Sequence, residues 1–126
     1  MLFRSFYRMF LELNHTKLEV YSVSRQFVTE CYKFIMTLPS EERYALSQQI
    51  RRAASSVHLN IAEGCSRKSE SERKRFYEIA RGSLIEIDAA LDIASDLNYC
   101  KKEDLQELGM KMINCIKYLN ALIKST

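Results

Sequence analysis

Pro39 is the only proline in this 126-residue chain, and only three glycines join it as residues that reverse a backbone cheaply. So few breakers force few, long elements with few connections between them. Length adds a second limit, because 126 residues make one domain with one core. Hydrophobic side chains form 47% of the sequence, which is enough to fill that core. No stretch alternates with period two for long enough to make a strand, so the elements are helices.

Before Pro39, the segment 17–37 carries Leu18, Tyr21, Arg25, Val28, Tyr32 and Ile35 at helical spacing. Val20, Val23, Phe27, Cys31 and Phe34 form a neighbouring stripe on the same helix. One stripe buries a helix against its own domain, and the simplest cover for a second is another subunit. After Pro39, Ser40 is placed to cap a new helix, with Glu41 and Glu42 at the positive end of its dipole. Leu46, Ile50, Ala53, Val57 and Ile61 make its seam, and Gly64 is the expected stop. Ser69 with Glu72 three residues on has capping-box spacing. The helix after it turns Phe76, Ile79, Ala80, Ser83, Leu84, Ile87, Leu91 and Ala94 inward, and Asn98 stands where a terminating glycine is usual. A last helix packs through Leu105, Leu108, Met112, Cys115, Leu119 and Ile123. The expected architecture is all-α, an up-down-up-down antiparallel four-helix bundle in a single domain over 1–126. It has an N-terminal lead over 1–15 and helices over 16–37, 41–64, 70–97 and 103–124.

That topology sorts the charges. One end gathers Lys17, Arg67, Lys68, Arg73, Lys74, Arg75 and Lys124 against Glu63, Glu70 and Glu72. The other gathers Glu41, Glu42, Asp92, Asp96, Glu103, Asp104 and Glu107 against Arg43, Lys101 and Lys102. The overall charge of +3 is mild, so any interaction with nucleic acid rests on the basic end rather than on the sum. "RKSESERKR" offers cations and serines to phosphates but no interleaved aromatics for base stacking. Opposite charge on the two ends also suits association between copies.

Several chemistries lack their residues. Cys31, Cys65, Cys100 and Cys115 stand far apart in sequence, which removes zinc-ribbon and redox pairs and fits reduced thiols in a cytoplasmic protein. The predicted helices carry no Glu-x-x-His, and no glycine-rich phosphate loop is present. Gly82 reads as a point of close helix contact. Ser55 and Ser56 neighbour His58 without an oxyanion donor or a third partner. No catalytic residue, metal or cofactor is therefore assigned. Arg4 and Arg8 interrupt the apolar N-terminus, so neither a signal peptide nor a membrane span is expected, and Met9 is an alternative start. In a hairpin centred on the 64–69 turn, Arg51 comes level with Gly82 and Arg52 with Arg81, so each can reach Glu78 or Glu86 within about one helical turn. At least one of the two is expected to fix register by an ion pair, leaving the other to face out.

"LPSEERYALSQQIRRAASSVHLNIAEG" followed by "SERKRFYEIARGSLIEIDAALDIASDLNY" resembles the four-helix proteins named after the 23S rRNA intervening sequences that encode some members. The similarity runs from about Leu18 to Ile123. Gln48, Arg51, Arg52, Asn60, Glu63, Gly64, Arg81, Gly82, Ser83 and Glu86 match its motifs. The resemblance implies a ring-like homopentamer that is non-enzymatic and binds RNA or DNA. It also implies a link to the accessory protein of diversity-generating retroelements, which works with a reverse transcriptase. One departure stands out: relatives commonly have Ile-Pro-Ser where this chain has Val57, His58 and Leu59. A proline there would kink the helix.

The resulting expectation is a homo-oligomer that grips RNA or DNA through Arg67, Lys68, Arg73, Lys74 and Arg75, with Arg51 or Arg52 contributing inside the ring. The alternative is a protein-interaction scaffold that docks a reverse transcriptase or another protein.

Overall fold

The computed structural model describes residues 9–126, apart from the side chains of residues 16 and 17. The expectations about Arg4 and Arg8, and about the Lys17 side chain, lie outside the described residues. Four helices follow a short 3-10 turn at Asn14–Lys17: α1 (Glu19–Ile35), α2 (Leu46–Cys65), α3 (Glu70–Asp96) and α4 (Gln106–Ser125). Further 3-10 turns at Ser40–Glu42 and Lys102–Leu105 precede α2 and α4. No strand occurs among the described residues.

The helices share one core. Phe27 and Cys31 of α1, Ile50, Val57 and Ile61 of α2, Leu84 and Ile87 of α3, and Cys115 and Leu119 of α4 are all buried. Each large apolar side chain so buried contributes about 1.5–3 kcal/mol. In α1 the stripe through Val20, Phe27, Cys31 and Phe34 faces this core. Its neighbouring stripe meets α2 in part: Tyr21 lies on the His58 ring, and the Arg51 guanidinium lies 6.0 Å from the ring of Tyr32, which stays 40% exposed. In α3 the phase differs by one residue at the N-terminal end. Tyr77 is buried, Phe76 is half-buried, and Ile79 is 40% exposed.

The α2–α3 contacts run in opposite directions along the two helices. Gln49 Nε2 donates to Glu86, Ser83 Oγ donates to Ser56 Oγ at 2.8 Å, and Gly64 meets Phe76 and Tyr77. Asn60 Nδ2 donates to the Ser56 carbonyl and hydroxyl, completing a small polar network at this seam. Neither Arg51 nor Arg52 pairs with Glu78 or Glu86, so the expected arginine register pair does not form. Gln49 holds Glu86 instead, while Arg81 Nε donates to Asn120 Oδ1 on α4 at 2.8 Å.

The helix ends obey mostly local rules. Ser69 Oγ accepts from Glu72 N–H at 3.1 Å and starts α3. At the other end Asn98 has φ 63°, the Tyr99 N–H donates to the Ala94 carbonyl, and the Asn98 N–H donates to the Ser95 carbonyl. This pair of bonds is the Schellman arrangement that a glycine or asparagine in the left-handed region permits. The Ser40 cap does not form, because Ser40–Glu42 make their own 3-10 turn and α2 begins later. Glu42 serves instead. One of its oxygens accepts from Leu46 N–H at 3.2 Å, and the other from the Tyr99 hydroxyl at 2.8 Å. That second bond ties the α1–α2 linker to the α3–α4 linker.

Gly64 is not the stop of α2. It lies inside the last helical turn with no positive φ, and the helix ends at Cys65. Its missing side chain has another use, since a Cβ there would come within 2.9 Å of Phe76 Cβ. Gly82 is the reverse case: it is exposed, and a Cβ would meet nothing within 4 Å, so it is no point of close contact within the chain. α2 runs uninterrupted through Val57, His58 and Leu59.

Candidate nucleic-acid interface

The turn between α2 and α3 is only four residues long, so the last turn of one helix and the first turns of the next are neighbours. This brings Arg67, Lys68, Arg73, Lys74 and Arg75 to one end of the molecule. The C-terminal end of α4 and Asn14 of the lead join them, because Asn14, Arg67, Arg73, Leu122 and Thr126 line one cavity of about 560 Å³. Arg51 and Arg52 are not part of this cluster. At 1.5 Å per residue, Arg52 stands about 20 Å along α2 from Cys65.

The cations of the turn do different things. Arg73 is half-buried, and its Nη1 donates to the carbonyls of Lys68 at 2.7 Å and Arg67 at 3.2 Å. It therefore shapes the turn. Arg67 pairs with Glu63 one helical turn earlier, and Arg75 Nε lies 3.7 Å from Glu72. Both guanidinium groups also lie over one ring, each 4.9 Å from the Phe76 centroid. The basic stretch itself contains no ring, but Phe76 directly follows Arg75 in the chain and supplies one from just outside it. The side chains of Lys68 and Lys74 are exposed and have no hydrogen bond or ion pair among the described residues. They are the cations free to meet an external anion.

Arg51 and Arg52 divide as well. Arg51 is half-buried with its guanidinium 6.0 Å from the Tyr32 centroid, while Arg52 is exposed and unpaired among the described residues. Arg52 is thus the one that faces out.

Elsewhere, Ser24, Cys31 and Cys115, which carry nucleophilic atoms, are enclosed in the core. His58 Nδ1 lies 2.7 Å from Ser24 Oγ, and Ser24 itself donates to the Tyr21 carbonyl at 3.0 Å. With the serine proton committed there, His58 donates from Nδ1. Burial, aided by the nearby Arg25 and His15 charges, pulls the imidazole down to about 4. Ser24 has no exposure, so this pair cannot present a nucleophile to a substrate. Ser55 and Ser56 neighbour His58 in sequence, but its hydrogen-bond partner Ser24 comes from α1. Burial pushes Cys31 and Cys115 up to about 12, and Tyr77, hydrogen-bonded to Cys65, also up to about 12. No group of His, Cys, Asp or Glu among the described residues is arranged to hold a metal ion. No helix among them is long and apolar enough to cross a membrane.

The profile of the 23S rRNA-intervening sequence proteins matches residues 16–121. The chain belongs to that family. The matched span begins in the 3-10 turn before α1 and includes α1, α2, α3 and most of α4. A solved protein of unknown function from the S23 ribosomal protein family of Bacteroides thetaiotaomicron VPI-5482 has the same fold. It is 23% identical, with a TM-score of 0.76, over 83% of this chain and 95% of its own. No functionally curated protein matches the chain. Of the ten residues that carry the resemblance, Ser83, Gly64, Glu86 and Arg81 each contact a neighbouring helix, at Ser56, Tyr77, Gln49 and Asn120, while Asn60 bonds Ser56 within α2.

Proposed function

We propose that this chain is a non-enzymatic, homo-oligomeric helical protein that binds RNA or DNA through phosphate contacts at the α2–α3 turn. The observation that carries this reading is the pair Lys68 and Lys74, exposed and unpaired among the described residues at an end where Arg67 and Arg75 also face solvent. Unpaired surface cations release counterions when they meet phosphate, which gives sequence-independent affinity. The test is filter binding of mixed RNA and DNA pools across a salt series. Replacing Lys68 and Lys74 together by Ala should make the slope of log affinity against log salt shallower by about 1.5. An unchanged slope sinks the reading.

On this reading each protomer is an up-down-up-down bundle, and the copies assemble into a ring-like homopentamer, as the family resemblance implies. Leu59, Ile79 and Ile93 support association of copies, being 63%, 40% and 51% exposed on α2 and α3. Light-scattering mass tests it, with a monomer as the contrary result. Free thiols at Cys31, Cys65, Cys100 and Cys115 suit a cytoplasmic setting. A second reading, a scaffold for a reverse transcriptase or another protein as in retroelement accessory proteins, is favoured by the α3–α4 groove. There Asp88 and Asp92 flank Leu105, Met112 and Ile113. Substitution of Asp88 and Asp92 by Lys separates the readings, because it abolishes scaffold docking and leaves RNA affinity no weaker.

A further inference from the structure

Arg67 and Arg75 are poorly used as point charges and well placed as flat surfaces. Each has a carboxylate beside it, Glu63 or Glu72, which offsets its charge toward any phosphate. Each is also held over the Phe76 ring, its guanidinium 4.9 Å from the centroid. These two contacts restrain each guanidinium without enclosing it. The side chains keep 42% and 61% of their exposure. Planar guanidinium groups and aromatic rings are the surfaces on which unpaired bases stack. A paired base is already stacked inside its helix and offers only its backbone.

Arg67 also lines the neighbouring cavity of about 560 Å³, whose other polar walls include Asn14, Arg73, Tyr77, Ser125 and Thr126, with Glu70 an acidic side chain among them. That volume lies within the range of about 300–1,000 Å³ usual for a site that takes one small ligand. Lys68 and Lys74 flank the same end with unpaired charge. Stacking planes, a polar recess and free cations therefore occur together, in the arrangement a flexible strand needs and a rigid duplex cannot exploit.

We infer that the α2–α3 end is a single-strand site: an unpaired base stacks on the Arg67–Phe76–Arg75 platform, and its sugar and phosphate enter the cavity beside Arg67. This rests on the phosphate-binding reading above and adds the ligand's class, unpaired RNA or DNA.

The experiment uses the full chain and two fluorescein-labelled probes, a 12-nucleotide oligoadenylate and a 12-base-pair RNA duplex, titrated by anisotropy at equal salt. The single strand should bind about tenfold tighter than the duplex. Arg75→Lys keeps the charge and removes the plane, so it should weaken the single strand by about fivefold with the salt slope and duplex affinity unchanged. Phe76→Leu, checked for an intact helical melting curve, should do the same by releasing both guanidinium groups. Equal affinity for both probes, or wild-type single-strand affinity in Arg75→Lys, overturns the inference while leaving the phosphate reading standing. Failure of both probes to bind at low salt overturns the two together.

Discussion

Gly64 and Tyr77 approach so closely that a Cβ on residue 64 would stand 2.8 Å from Tyr77 Cε1. The contact joins the last turn of α2 to the first turns of α3, and Tyr77 cannot easily retreat because it is only 2% exposed. Gly64→Ala should therefore destabilise the protein by about 1–3 kcal/mol through overpacking. Gly82→Ala should do the opposite, gaining about 0.5–1 kcal/mol because a helical glycine with open space around it gives up backbone entropy for nothing. Urea denaturation at one protein concentration measures both. A loss of stability at Gly82 would instead place that glycine against another copy of the chain.

His58 makes stability depend on pH in a definite direction. Its folded-state value of about 4 lies below the ordinary 6.5, chiefly because burial disfavours the charged ring. Above pH 6.5 both folded and unfolded forms are neutral, and the folded state keeps its full advantage. As pH falls from 6.5 to 4 the unfolded chain takes up the proton first, so that stability is lost across this window. The loss attributable to His58 should be about 2 kcal/mol once its partial exposure is allowed for. Subtracting the profile of His58→Asn isolates it from the carboxylates that titrate nearby. Parallel profiles between pH 6.5 and 4 would show that the ring protonates as freely folded as unfolded.

How far the sequence announced this structure depends on the range of the interaction concerned. The α2 seam Leu46, Ile50, Ala53, Val57 and Ile61 is wholly buried, because a strong 3.6-residue period leaves one solution for which face turns inward. Ser69 and Asn98 act as their residue types suggest, since caps involve atoms within a few residues. Ser40 and Gly64 do not. Ser40 is taken into a 3-10 turn ahead of α2, and Gly64 is packed by Tyr77 from the next helix. Arg51 and Arg52 show a similar limit. Hairpin arithmetic sets their level along α3 but not their rotation about α2, so Gln49 reaches Glu86 and Arg51 turns toward Tyr32. In the candidate site, the grouping of the turn cations was legible from their closeness in sequence. Their division into shaping, stacked and free groups was not, because it depends on Phe76 and on the carbonyls that Arg73 holds.

That division predicts different costs for neighbouring cations. Arg73→Ala removes donors to the Arg67 and Lys68 carbonyls and should cost about 1–2 kcal/mol. Lys74→Ala, one residue on, removes no intramolecular bond among the described residues and should change stability by less than about 0.5 kcal/mol. Thermal or urea melts of the two variants side by side test this. Equal costs would mean that the Arg73 bonds contribute nothing to holding the turn.

The four cysteines should separate by reactivity. Cys31 and Cys115 have no exposure, and burial holds both thiols near 12, the neighbouring Cys115 adding to the effect on Cys31. At pH 8 almost none of either is thiolate, and the thiolate is the form that reacts. Cys65 and Cys100 are half-buried, with thiols raised by the same cause but within reach of solvent. A thiol reagent applied at pH 8 should label Cys65 and Cys100 in the folded protein, and Cys31 and Cys115 only after denaturant is added. Mass spectrometry of peptides from the two conditions assigns the sites. Prompt native labelling of Cys31 or Cys115 would mean that α1 and α4 part often enough to open the core between them, and that the packing of these two helices is looser than their shared buried residues imply.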